Sequence, residues 1–200
     1  MKHRLPVVQT HSNHRSVIRH SFLLICISTL LLVFHPNFTR ADTAAQIDRD
    51  VDSALKHLYD VNPTARKLAS GAKGIMVFPN IIKGGLIIGG QYGIGSLKIN
   101  GKTFGYYQTV AASYGLQIGA QSFGYAMFIM TGNGLNHLKS TQGWEVGVGP
   151  SVVVVDEGMA KTLTTTNTQE DIYVFFFDQK GLMAGLGIQG SKISRYTPDP

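Results

Sequence analysis

Cysteine occurs once in the 200 residues, at Cys26, and charged side chains make up only 15% of the chain. A single thiol cannot close an internal disulfide or supply the paired ligands of a cysteine-rich zinc site. Histidine is thin where it would matter: five of the seven precede Ala41, leaving His57 and His137. Two histidines without cysteines do not suggest a metal centre. A serine hydrolase would need one of the two as its base, and no Gly-x-Ser-x-Gly elbow exists. No apolar run reaches the ~20 residues that cross a bilayer as a helix.

Nucleotide signals are also missing. Gly101-Lys102-Thr103 resembles the end of a phosphate loop, but five residues, not four, separate it from Gly95. It also joins two predicted strands, so no helix N-terminus faces a phosphate there. Gly90, Gly93 and Gly95 reverse the dinucleotide spacing and read better as strand packing. Asp48, Asp50 and Asp52 alternate like calcium ligands, yet Ser53 and Tyr59 stand where the loop needs glycine and glutamate. Glu145, Asp156, Glu157, Glu170 and Asp171 flank predicted strands as ordinary surface carboxylates do. No catalytic constellation emerges, so no enzyme activity and no cofactor are expected.

What is present begins with an export signal. Met1–His20 carries Lys2, Arg4, Arg15 and Arg19 without an acid, Phe22–Phe34 is almost wholly apolar, and Ala41 offers a small residue for cleavage. Residues 1–41 are therefore read as a signal peptide, cut near Ala41, and 42–200 as one domain of a periplasmic or cell-envelope protein. The cut changes the electrostatics. Five of the 18 basic residues leave with the leader, so 13 face all 12 acids and the net charge falls from +6 to +1. Nucleic-acid binding loses its main support.

Every one of the 23 glycines lies between Gly71 and Gly190. Apolar runs broken by glycine suit curved or closely stacked strands, because glycine has no Cβ to hold backbones apart. Asn100-Gly101 predicts a type I′ hairpin joining Leu86–Ile99 to Lys102–Ile118. Ahead of it, Ile47, Val51, Ala54, Leu55 and Leu58 predict a helix over Asp42–Asp60, and Asn62-Pro63 opens a second through Ala69. Gly74–Pro79 is expected to be a short buried strand closed by its proline. Ser122–Thr131 reads as a strand, Gly132–Ser140 as a turn with helix, Trp144–Val155 as a strand, and Met159–Leu163 as a short helix or loop. Ile172–Phe177 should be a strand apolar on both faces, Asp178–Gly181 a turn, and Leu182–Ile193 the returning strand. The tail to Pro200 is expected to fray. Helices followed by strands give an α+β fold, with N-terminal helices packed on a strongly curved, barrel-like, mainly antiparallel sheet. The tyrosines Tyr92, Tyr106, Tyr107, Tyr114 and Tyr125, with Phe104, are read as core or cross-strand pairs.

Arg66, Lys67, Lys73 and Lys83 cluster in sequence around the second helix and first strand, and are candidates for contacting anionic lipid headgroups. They equally suit scattered solvated charges.

Taken together, Ala72-Lys73-Gly74-Ile75-Met76-Val77-Phe78-Pro79, Lys83-Gly84-Gly85, Gly89-Gly90, Gly93-Ile94-Gly95, Gln117-Ile118-Gly119-Ala120-Gln121 and Lys180-Gly181-Leu182 with Ala184-Gly185 and Gly190 resemble the SYLF (Ysc84-type) lipid-binding domain, in its exported bacterial branch. The likeness spans about Ala54–Tyr196. It implies a non-enzymatic lipid-binding or membrane-surface protein whose partners are phospholipid or, in the alternative, an envelope protein for which it acts as a scaffold. Eukaryotic relatives bind phosphoinositide membranes and one fungal branch binds actin, and their membrane contact is associated with a basic amphipathic helix. Here that helix has Asp48, Asp50, Asp52 and Asp60 against Arg49 and Lys56, so anionic lipid should not attract it. Its apolar stripe either packs on the sheet or inserts.

Overall fold

The computed structural model describes residues 42–85, 88–114, 119–164, 166–181, 187–188 and 190–200. The leader and cleavage point, and the expected strand residues 86–87, 115–118, 182–186 and 189, lie outside them. Ala41–Pro200 forms one compact unit.

Helix α1 (Ala44–Val61) starts at Thr43, whose side chain accepts from the Gln46 N–H. Asn62 ends it and opens α2 (Pro63–Ala69), its Oδ1 accepting from Ala65 N at 3.0 Å with Pro63 in the first turn. The strands are β1 (Gly74–Gly85), β2 (Ile88–Ile99), β3 (Lys102–Tyr114) and β4 (Gly119–Ile129). After α3 (Gly132–Ser140) come β5 (Gly143–Glu145), β6 (Val152–Val154), α4 (Glu157–Thr162), β7 (Ile172–Gly181) and β8 (Lys192–Tyr196). They form one eight-stranded sheet in the order β5-β8-β3-β2-β1-β4-β7-β6. Every pairing is antiparallel except β6 with β7. The predicted α+β class stands.

Asn100 (φ 52°) and Gly101 (φ 74°) make the hairpin turn between β2 and β3 that the dipeptide predicted. Other expectations need correction. Pro79 does not close β1, which continues to Gly85. The proline instead sits in a bulge, where pairing shifts register on both flanks, between Val77 and Asn80 and between Phe78 and Ile81. A bulge has no ladder bond for the missing N–H to supply. Opposite it, a Cβ on Gly95 would collide with the Val77 carbonyl oxygen, so glycine lets the bulged backbone approach.

Asp178–Gly181 is likewise not a turn. Asp178 (φ 53°) marks a second bulge, and β7 runs on beside β4 to Gly181. The last strand returns to the far side of the sheet, against β3 and β5. Trp144–Val155 splits into β5 and β6 because Gly147 (φ 105°) and Gly149 (φ 93°) turn the chain ahead of Pro150. The tail is tied down by a bridge between Thr43 and Asp199.

The sheet is strongly curled, a half-barrel. A single apolar cluster joins Trp144 and Ile193, near one edge, with Ile172, Val174 and Val152, near the other. Inside the curl lie Met76, Phe78, Ile81, Phe123, Tyr125 and Met127, with Leu135 and Leu138 of α3 packed among them. Tyr125 on β4 reaches toward Thr109 on β3 across two intervening strands. On the outer face Ile47, Val51 and Leu58 of α1 and Leu68 of α2 cover Val77, Ala126, Phe128, Tyr173 and Phe175. Each such aliphatic side chain contributes about 1.5–3 kcal/mol on burial.

Candidate functional site

Two of the four acids of α1 are engaged with the sheet, while Asp50 and Asp60 pair with Gln46, Lys56 and Arg66 of the helices. Asp48 accepts from the hydroxyls of Thr103 (2.7 Å) and Tyr106 (3.0 Å), and Asp52 pairs with the buried Lys98. Packing on the sheet is therefore the role of this helix.

The four candidate headgroup residues do not gather into one patch. Arg66 pairs with Asp60 at 2.9 Å and donates to the Tyr59 carbonyl at 3.1 Å, clasping α2 to α1. Lys67 is exposed on α2, and Lys73 is exposed just before β1, its backbone N–H bonded to Ile129 O at 2.7 Å. Lys83 stands about 30 Å further along β1 at 3.3 Å per residue, half-buried on the inner face of the sheet. Three of the four thus sit at one end of β1 and one at the other.

The two histidines lie apart from each other. His57 Nε2 meets Asp178 Oδ1 at 3.0 Å, both about half exposed, beside a shallow hollow of about 390 Å³ that Ser53, Asp50 and Lys180 also line. His137 packs edge-on against Trp144, ring centroids 6.3 Å apart. Among the described residues no group of three or more His, Cys, Asp or Glu side chains could hold a metal. Asp171 is a structural carboxylate: it accepts from Thr131 and Ser151, and the Thr131 hydroxyl bond holds its pKa below the ordinary value.

The surface that stands out carries no reactive group. Helices α1 and α2 cover only part of the outer face, and beyond them Ile82, Tyr92 and Val110 lie directly opposite one another on β1, β2 and β3. Ile82 is 60% exposed, as is Ile88 further along β2, while Tyr92 and Val110 are each 44% exposed. The same row continues through Ser122 to Lys180 at one end and reaches Lys192 at the other. An apolar stripe across three strands is thus bracketed by two exposed lysines. Contiguous exposed apolar groups of this kind mark interaction surfaces. Asp42 lies near the Tyr92 hydroxyl, whose pKa is raised, by burial first and then by its Tyr196 and Asp42 neighbours.

Reading the chain alone missed this stripe. Tyr92 belongs to it rather than to the core, and Phe104 is also exposed, with Lys139 and Arg195 about it at 5.2 and 5.3 Å. Tyr107 and Tyr125 are buried as expected; the side chain of Tyr114 lies outside the description. The missing signal was pairing: only the cross-strand register brings residues 82, 92, 110, 180 and 192 into one line.

No curated protein matches the chain. Residues 110–198, from the Val110 end of that stripe through Lys180 and Lys192, match the family described as Ysc84, Las17-binding protein actin regulator. Over that span the chain is similar to the Ysc84 (SYLF) family.

Proposed function

We propose that this is a non-enzymatic lipid-binding protein of the bacterial cell envelope, exported by residues 1–41 and resting on a membrane surface through the uncovered part of its outer sheet face. The observation that carries this reading is the Ile82–Tyr92–Val110 row bracketed by Lys180 and Lys192. Shallow burial of its side chains favours the headgroup boundary, and each flanking lysine adds about 1 kcal/mol near an anionic leaflet. Lys67 and Lys73, exposed at the other end of β1, are secondary headgroup contacts, and Arg66 and Lys83 are weaker candidates because each already has partners. Among the described residues no helix is long and apolar enough to cross a membrane.

Flotation of the full chain with vesicles of phosphatidylcholine, with and without phosphatidylglycerol, over a salt series tests the proposal. Binding that rises with the anionic lipid and weakens with salt is the expected result. Absence of binding to every composition at every salt concentration sinks it.

A second reading, an envelope scaffold that docks a protein, draws on a different feature. An apolar groove of about 640 Å³ runs beside Val61, Pro63, Val154, Val155 and Phe175, between the start of α2, α4 and the β6 edge. Retention of a partner protein by the chain, lost on Val154→Asp but not on Ile82→Ser, favours that alternative.

A further inference from the structure

The two edges of the sheet are finished differently. At one, β5 ends on the charged Glu145. At the other, Ser151–Val155 carries four consecutive valines and no charge, and β6 is paired only with β7. Edge strands are usually blunted by charge, proline or a bulge, and β6 has none of these within it.

The register says which backbone groups that edge leaves open. Ile172 N–H donates to the Ser151 carbonyl at 3.0 Å, and Val155 N–H donates to the Val174 carbonyl at 2.9 Å. Alternate residues of a parallel strand bond the same neighbour, so Ser151, Val153 and Val155 face β7. Val152 and Val154 therefore turn their N–H and C=O outward, where among the described residues no strand lies. Val154 is also 43% exposed.

Just past Val154 the chain leaves β7 at Val155 and enters α4, whose cap Asp156 accepts from Met159 N–H at 2.7 Å. The groove of about 640 Å³ opens there, with Phe175 and Phe176 of β7 among its lining, and every residue that lines it is described. Thr64 Oγ1 donates to the Ala160 carbonyl at 2.6 Å, which fixes the spacing of its α2 and α4 walls. One acid and one base, Asp156 and Lys161, stand among these lining residues, so the site selects for neither sign. A three-residue edge spans about 10 Å. That is too short to hold a second folded copy, whose interface needs about 1,200 Å² or more, but it suits one extended segment.

We propose that the β6 edge takes up an extended, uncharged segment of a partner protein as a further strand, paired with Val152 and Val154, and that one apolar side chain of the segment seats in the groove beyond Val154. Backbone pairing supplies affinity and the groove supplies selectivity. This rests on the second reading above, that the groove docks a protein, and specifies the manner of docking.

The test uses the full chain and short random peptides displayed on phage, selected on wild type and counter-selected on Val154→Pro. Proline at an outward-facing edge position removes a donor without breaking a ladder bond, so this variant should melt with wild type. Val153→Pro, which faces β7, should melt lower. The expected peptides alternate apolar residues, and N-methylation at alternate peptide positions, or Val154→Pro in the protein, should weaken them by about tenfold or more. Val61→Asp, at an exposed wall of the groove, should weaken them too. Should Val154→Pro not fold, hydrogen exchange on wild type decides: the Val152 and Val154 amides should exchange faster than Val153 and Val155 and become protected when peptide binds. Absence of that protection overturns the proposal, as does equal binding by wild type and Val154→Pro. Binding that survives Val154→Pro and peptide N-methylation but is lost in Val61→Asp overturns strand addition and leaves the groove as a docking site of another kind. Selection of no peptide sensitive to either variant removes both. Self-association of the wild type that Val154→Pro abolishes would make the occupant a second copy and overturn the proposal as well.

Discussion

The two ends of the central hairpins are built from the same strands and yet behave as different materials. At the Gly74–Ile129 end both faces are sealed, with Val77 and Phe128 under α1 and α2 and Met76 and Met127 inside the curl, all of them 0% exposed. At the Gly85–Gly119 end the outer face shows Ile82, Ile88 and Tyr92 to solvent, and the inner face holds glutamines and a lysine where the other end holds methionines. The contrast shows a division of labour along a strand. Stability is concentrated where helices cover the sheet, and the proposed binding surface lies where they stop.

Substitutions at the two ends should therefore have opposite signatures. The largest stability effect is expected at the covered end: Phe128→Ala, removing a ring packed at 5.2 Å against Phe175, should cost about 3–5 kcal/mol in urea unfolding. A loss below about 1 kcal/mol would mean that the helices are not what stabilises the fold. Next comes the bare end. Ile82→Ser, Tyr92→Ser and Val110→Ser together should abolish vesicle flotation while shifting unfolding by no more than about 0.5 kcal/mol per site, as exposed positions do. Simultaneous loss of stability and binding would erase the distinction.

The smallest effect concerns pH, and it belongs to the covered end. The pKa of Asp171 is lowered from its ordinary 3.8, chiefly by the Thr131 hydroxyl bond and also by its bonds to Ser151. A carboxyl with a depressed folded-state value adds stability above its unfolded pKa and loses it as pH falls toward the folded one. Wild type should thus melt above Asp171→Asn at neutral pH, and the gap should close on acidification below about 3.8. A gap that persists at low pH would remove the charge from the explanation. The outer stripe has no part in that titration, so vesicle binding should not follow it.

Much of the covered end is legible in residue order. Ile47, Val51, Ala54 and Leu58 recur at helical spacing, Asn62-Pro63 announces a helix start, and Asn100-Gly101 announces a hairpin, because each depends on chemistry within a few residues. The bulges were not legible. Pro79 and Asp178 look like strand ends in isolation, and only a neighbouring strand that accommodates the extra residue keeps β1 and β7 going. The candidate surface was least legible of all. Arg66, Lys67, Lys73 and Lys83 are neighbours in sequence, but Lys83 lies the length of a strand from the other three, whereas Lys180 and Lys192 bracket a row that they do not adjoin in sequence.

Sequence alone determined the helices, the glycine-dependent curl, the α+β class and the family likeness, since propensity, capping and turn chemistry act locally. Tertiary structure alone decided which apolar residues stay exposed, that Asp48 and Asp52 of α1 serve the sheet, and that Gln121 is buried without a partner. Those outcomes depend on strand register and on where α1 and α2 end, quantities set by the packing of distant segments and carried by no single stretch of the chain.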